Sequence, residues 1–161
     1  MDKEWKDKYR QQDLQRLREF RLMDDDFMSK CFENNIECTE LVLHIVLGRD
    51  DLKVEKVETQ HLIKNLQGRS IILDIYATDH TGKRYNIEIQ RVDRGAGAKR
   101  ARYHSSLMDA NITEPGDRLE NLSETYVIFI TERDVMGDAL PIYHINRMVE
   151  ETGKKFQDEA H

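Results

Sequence analysis

Residues 71–90 hold two runs of strand-forming side chains, separated by a stretch built to turn. The runs are Ile71 to Ala77 and Arg84 to Gln90, and Asp79-His80-Thr81-Gly82-Lys83 lies between them. A three-residue hairpin loop with Gly82 in the left-handed position is a common way to join such strands. That loop pairs Asp79 with Lys83, and counting outward sets Asp74 opposite Glu88. Directly opposed side chains lie about 5 Å apart on one face of a sheet. Gln90 shares that face, because strand side chains alternate with period two. A two-residue loop would instead set Asp74 against Ile89 and dissolve the constellation.

Two carboxylates facing each other amid apolar strands repel, and like charges in that position destabilise a sheet. The repulsion is expected to raise at least one of the two pKa values. A divalent cation removes the conflict. Mg²⁺ favours one or two carboxylates, several waters and phosphate oxygens from a substrate. Held so, a metal polarises a phosphoryl oxygen and acidifies a bound water, which is what phosphodiester hydrolysis needs. The competing reading is a solvated face whose acids pair with Arg69 or Arg84.

The surrounding chain suits one α/β (α+β by some schemes) domain. Its 161 residues are 39% hydrophobic and 35% charged, with two prolines. That length supports a core without staples, and no apolar run approaches the twenty or so residues of a membrane helix. Residues 3–22 mix charge with Trp5, Tyr9, Leu14, Leu17 and Phe20 at helical spacing, so 1–22 reads as an amphipathic lead-in helix. Asp24, Asp25 and Asp26 offer N-caps for a helix from about Phe27, with Met28, Cys31 and Phe32 on one face. Asn34-Asn35 breaks it. A second helix, with Leu41, Ile45 and Val46 expected inward, ends at Gly48. Leu52, Val54 and Val57 begin a strand toward Ile63. Gly95 to Met108 reads as a helix and Glu124 to Thr131 as a buried strand. Pro141 to Ile145 reads as a further strand, and Glu151-Thr152-Gly153-Lys154 as a hairpin turn with Phe156 opening its partner. The chain stops within that pattern, which suggests truncation at the C-terminus. Cys31 and Cys38, if on one unbroken helix, sit roughly 10 Å apart, too far to bridge. With a highly charged start, Met1 to Trp5, the expected setting is reduced and cytoplasmic.

The formal charge of −6 argues mildly against a nucleic-acid partner, but a local basic stripe is what binds phosphate. One follows the hairpin: Arg91, Arg94, Lys99, Arg100 and Arg102, offset only by Asp93. Gly95-Ala96-Gly97-Ala98 lets a backbone approach closely where a helix begins, and helix N-termini favour phosphate. Such contacts hold DNA without reading its sequence. Tyr103 and His104 are placed to line the same groove, although a lone histidine is more often structural than catalytic.

Leu73-Asp74, a hairpin, then Asn86-Ile87-Glu88-Ile89-Gln90 resembles the PD-(D/E)XK nuclease superfamily. It most resembles the branch known as PD-(D/E)XK nuclease family transposase, related to recombination-promoting nucleases. Asp25 to Phe32, Asn65 to Ser70 and Arg100 to Tyr103 carry the likeness further. The resemblance implies a restriction-endonuclease-like core over residues 23–161, of order αβββαβ, with a mixed sheet flanked by helices. It implies Asp74 and Glu88 as ligands of Mg²⁺ (or Mn²⁺), with the Ile89 backbone carbonyl as a further one. An upstream acid often joins such sites; Asp26 and Glu40 both qualify, and the sequence does not choose. Gln90 stands where the superfamily usually has lysine, so a neutral amide replaces a cation. The implied partner is DNA, cleaved in a mobile-element or recombination setting, with no membrane and a homodimer left open. The alternative is a catalytically inactive, nuclease-derived DNA-binding or interaction module.

Overall fold

A computed structural model describes residues 14–15, 23–91 and 96–161, apart from the side chains of Asp25 and Asp26. Helices α1 (Asp25–Phe32) and α2 (Ile36–Leu47) lead into strands β1 (Val54–Ile63), β2 (Ile71–Asp79) and β3 (Arg84–Gln90). Helix α3 (Ala98–Ile112) and a short 3-10 turn (Leu119–Asn121) cross to β4 (Thr125–Thr131), and a small hairpin follows, β5 (Met148–Val149) and β6 (Lys154–Lys155). The main sheet runs β1-β2-β3-β4, antiparallel except for the parallel β3–β4 pair. This is the mixed α/β, restriction-endonuclease-like architecture expected from the sequence. Of the expected lead-in helix, only Leu14 and Gln15 are among the described residues; both are helical and exposed.

The hairpin takes the three-residue form. Thr78 pairs with Arg84, and the Asp79 N–H donates to the Lys83 carbonyl at 3.1 Å. Gly82 has φ +84°, a left-handed conformation that glycine adopts without steric penalty. The Asp79 side chain ties the turn shut. Buried at 2% exposure, its Oδ1 accepts from the Thr81 hydroxyl at 2.7 Å and from the N–H groups of Thr81 and Lys83 at 2.8 and 3.1 Å. Its Oδ2 accepts from the buried Tyr85 hydroxyl at 2.8 Å. Burial pushes this carboxyl's pKa up, but those hydrogen bonds outweigh burial and leave it below the ordinary aspartate value.

The two sheet faces differ in chemistry. Odd-numbered Ile75, Ala77, Tyr85, Ile87 and Ile89 form one apolar cluster with Met28, Phe32 and Leu43 of α1 and α2. On the other side Leu107 and Met108 of α3 pack with Ile63, Ile71, Leu73 and Tyr76. Asn35 joins the first two helices: its Oδ1 accepts from the Cys38 N–H and its Nδ2 donates to the Cys31 carbonyl. Cys31 and Cys38 therefore lie on separate helices, both as free thiols. In α2 the inward residues are Thr39 and Leu43, while Leu41 and Ile45 are exposed, contrary to the spacing-based expectation. Glu37, Glu40 and His44 recur at helical spacing and mark the outer face, so Cys38, Thr39, Val42 and Leu43 lie toward the core.

Other boundaries shift for similar reasons. The helix expected from Gly95 begins at Ala98. β4 is mostly half-buried rather than buried; among the described residues it pairs with β3 on one edge and with residues 159–161 on the other. There Ala160 bridges to Thr125 and the Val127 N–H reaches the His161 carbonyl at 2.8 Å. Pro141 to Ile145 forms no strand; the Asp134 carboxylate instead gathers the N–H groups of Met136, Gly137 and Ala139 and the Tyr143 hydroxyl. Among the described residues, no helix is long and apolar enough to cross a membrane. The hairpin generates the first prediction. Asp79→Ala leaves the buried Tyr85 hydroxyl unpaired and is expected to destabilise the fold by roughly 3 kcal/mol or more. The carboxylate's contribution is present at neutral pH and is lost as pH falls through its lowered pKa. Denaturant unfolding of both proteins at pH 7 reads the difference, and a loss below about 1 kcal/mol would show that the register is held elsewhere.

Candidate active site

Period-two alternation along β3 sends Tyr85, Ile87 and Ile89 toward α1 and α2. Asn86, Glu88 and Gln90 therefore turn toward α3. Asn86 and Glu88 are nonetheless wholly buried; burial of this kind calls for hydrogen-bond partners, which the Asn86 Oδ1 lacks among the described residues. Ile75–Ile87 is the last backbone pair between β2 and β3. One step further, with Asp74 opposite Glu88, side chains replace the ladder. The Ile89 N–H donates to Asp74 Oδ2 at 2.9 Å, and the Asp74 N–H points at Glu88 Oε1 at 3.4 Å. The two acids thus sit together where the strands part.

Helix α3 supplies the positive charge. Arg100 donates from Nη2 to Glu88 Oε2 at 2.8 Å, from Nη1 to Gln90 Oε1 at 3.2 Å, and from Nε to His104 Nε2 at 3.3 Å. Its guanidinium carbon lies 5.9 Å from the centre of the Phe129 ring. His104, 2% exposed, places Nδ1 3.6 Å from Glu88 Oε1 and 3.0 Å from the Asn86 amide nitrogen. Burial first, then Arg100 and Arg69, push its pKa down to about 4. At neutral pH it is an uncharged imidazole. Arginine nitrogens and amide nitrogens only donate, so the Arg100 contact calls for Nε2 as the acceptor while the Asn86 contact calls for Nδ1, and the single acceptor of a neutral ring serves one of them at a time.

Glu88 carries the opposite perturbation. Burial is the larger cause and the Asp74 charge the second; together they raise its pKa to about 7 against the pull of Arg100. A rise is what the opposed acids imply, but desolvation outranks repulsion.

The remaining sequence candidates are scattered. Gln90 is half-buried and Ile89 buried beside the acids. Arg91 is exposed and pairs with Asp24 at 3.1 Å. Lys99 and Arg102 are exposed on α3, turned away from the inward stripe of Arg100 and His104. The Tyr103 hydroxyl donates to the Arg69 carbonyl at 2.5 Å and accepts from Asn65. Glu40 receives Lys53 at 2.7 Å and the Val54 N–H at 3.0 Å, so it anchors the start of β1. Arg84 donates to the Tyr76 hydroxyl. Arg94 and the Asp26 side chain lie outside the described residues. Sequence reasoning missed Asn86, Phe129 and the inward turn of Arg100. Period two from Glu88 was the available signal for Asn86. For Arg100 it was the stripe Arg100, His104, Leu107 and Met108 at helical spacing.

The donor set suits a hard divalent cation: two carboxylates side by side, one of them buried and held near 7, with the main-chain carbonyl of Ile89 next in the chain. Among the described residues no group of three or more His, Cys, Asp or Glu side chains gathers as a metal site, so the two carboxylates are the core of the set.

A mixed four-strand sheet flanked by helices, with an acid on the second strand facing an acid on the third, defines a restriction-endonuclease-like nuclease core. The chain belongs to the PD-(D/E)XK nuclease family transposase group, whose family model matches residues 32–161. No curated protein matches it, and no solved structure does.

Glu88 makes the second prediction. Below pH 4.5 the acid is protonated in both the folded and unfolded chains. Between 4.5 and about 7 the unfolded chain has released the proton and the folded one retains it, so stability falls as pH rises. Above that range the loss is complete, at roughly 3 kcal/mol. Glu88→Gln is expected to flatten this part of the stability–pH curve. Denaturant titrations in chelator at pH 4.5 and pH 8 check it, and parallel curves for the two proteins would count against the assignment.

Proposed function

We propose that this chain is a metal-dependent nuclease that hydrolyses DNA phosphodiester bonds, acting in a mobile-element or recombination setting. The observation that carries the reading is the opposition of Asp74 and Glu88 at the point where the β2–β3 ladder opens. The setting rests on the transposase description of the family. Asp74, Glu88 and the Ile89 carbonyl would hold Mg²⁺ or Mn²⁺, which when bound supplies Lewis-acid polarisation of the phosphate and an acidified water. The protein's own groups do the rest. The Ile89 N–H fixes the Asp74 carboxylate, and Arg100 and the Asp74 N–H fix Glu88. The Gln90 amide orients the attacking water, and the exposed Lys99 and Arg102 hold flanking phosphates.

A second reading, an inactive DNA-binding module, draws on one observation: the Gln90 amide oxygen is already engaged by Arg100. One assay separates the two. The wild type should cleave DNA with millimolar Mg²⁺ or Mn²⁺ and not in chelator. Asp74→Asn keeps an acceptor for the Ile89 N–H but removes the charge, and should lower cleavage on the order of a hundredfold or more. Added Mg²⁺ should raise the melting temperature of the wild type and not of the variant. Cleavage absent from the wild type on single- and double-stranded DNA, with binding retained, would establish the inactive module.

Affinity for DNA supplies a further prediction. Each cation that neutralises a phosphate steepens the fall of log K with log salt by about 0.9 on duplex DNA. Lys99→Glu with Arg102→Glu is therefore expected to weaken binding and flatten the slope while leaving the melting temperature near that of the wild type. An unchanged salt titration would show these two side chains to be ordinary surface.

A further inference from the structure

We infer that Arg100, reaching in from α3, supplies at this site the positive charge that Gln90 lacks. As a catalytic role the inference rests on the nuclease reading; as an electrostatic role it stands on the geometry alone. Nη1 of Arg100 lies 3.2 Å from the terminal oxygen of Gln90, and Nη2 lies 2.8 Å from Glu88. The cation therefore occupies the space between side chain 90 and the buried acid. A lysine at position 90 would carry its own charge into that region; here the charge arrives from the neighbouring helix, and Gln90 accepts a hydrogen bond from it.

Three features hold the guanidinium there. His104 places Nε2 3.3 Å from the Arg100 Nε, where it can accept the Nε–H. The Phe129 ring centre lies 5.9 Å from the guanidinium carbon, within the range of a cation–π interaction. Arg100 and His104 stand four residues apart, so one face of α3 presents both. Exposure then separates this role from a purely structural one. The Glu88 side chain is 0% exposed and the Arg100 side chain 39%. The acid is sealed, and the cation beside it keeps part of its surface in solvent. Arginine suits that position, because its planar fork serves a carboxylate and a phosphate together.

Relocating the charge tests this. Four full-length proteins are melted in chelator: wild type, Arg100→Gln, Gln90→Lys, and Arg100→Gln combined with Gln90→Lys. Arg100→Gln should melt several degrees lower, and adding Gln90→Lys should recover most of the loss, since a cation returns beside Glu88 from the strand. Gln90→Lys alone places two cations together and should not stabilise. Equal melting of Arg100→Gln and the double variant, or no effect of Arg100→Gln, would overturn the inference. Should Arg100→Gln fail to fold, a folded double variant supports the inference and an unfolded one overturns it. Where the wild type cleaves DNA, single-turnover rates should follow the same order, falling on the order of a hundredfold for Arg100→Gln and recovering to within about tenfold of wild type in the double variant. A wild type inert with Mg²⁺ defeats the nuclease reading, and the melting series in chelator still decides the role of Arg100.

Discussion

The Asp79 carboxylate fixes the register on which the site depends. It gathers two backbone N–H groups, the Thr81 hydroxyl and the Tyr85 hydroxyl, and so determines where β3 leaves the turn. A slip of one residue would send every side chain of β3 to the opposite face. Glu88 would then point into the apolar cluster under α1 and α2, and Ile89 toward α3. Polar hydrogen bonds in the turn thus decide which residues the apolar core receives and which acids meet. Tyr85 serves both parts: its hydroxyl closes the turn, and its ring stacks on Tyr126 of β4 at 5.0 Å, carrying the register into the parallel pair.

On the other face, the balance is between desolvation and local charge. Burial raises Glu88 and lowers His104, so each group is driven toward its neutral form. Arg100 opposes the first trend and adds to the second. An ion pair with one partner sealed is weak evidence of stabilisation, since apolar replacements of the same shape often do as well. The arrangement is better understood as stability forgone to keep acid, cation and imidazole within one cluster. Places where local rules are broken in this way tend to be functional.

Much of this was legible in the residues themselves. Gly82 with its flanking polar residues specified the loop, the loop specified the register, and the register opposed Asp74 to Glu88. Each step rests on short-range geometry. The rest depends on packing between elements distant in sequence. The stretch from Arg91 to Arg102 reads as one basic run, yet helix rotation turns Arg100 inward and leaves Lys99 and Arg102 in solvent. The inner face of α2 is misread by following its apolar residues alone; the polar stripe Glu37, Glu40 and His44 marks the outer face, and Leu43 packs with Met28 and Phe32 on the inner one. Pro141 to Ile145 shows strand composition, but the Tyr143 hydroxyl is drawn into the loop that the Asp134 carboxylate organises. Glu40 looked as eligible as any upstream acid until β1 supplied Lys53 and the Val54 N–H.

Helix α3 comes soon after β3 in the sequence, and that order has a consequence for inheritance. Asp74, Glu88, Gln90, Arg100 and His104 all fall within residues 74–104, one unbroken length of chain. The site therefore forms a cassette: turn, acids and countercharge travel together. The segment between α3 and β4, and everything after Thr131, can lengthen, shorten or be exchanged without moving any of these five positions relative to the others along the chain. A lineage built on such a cassette can exchange those peripheral segments in one step while β4 keeps Phe129 beside the countercharge.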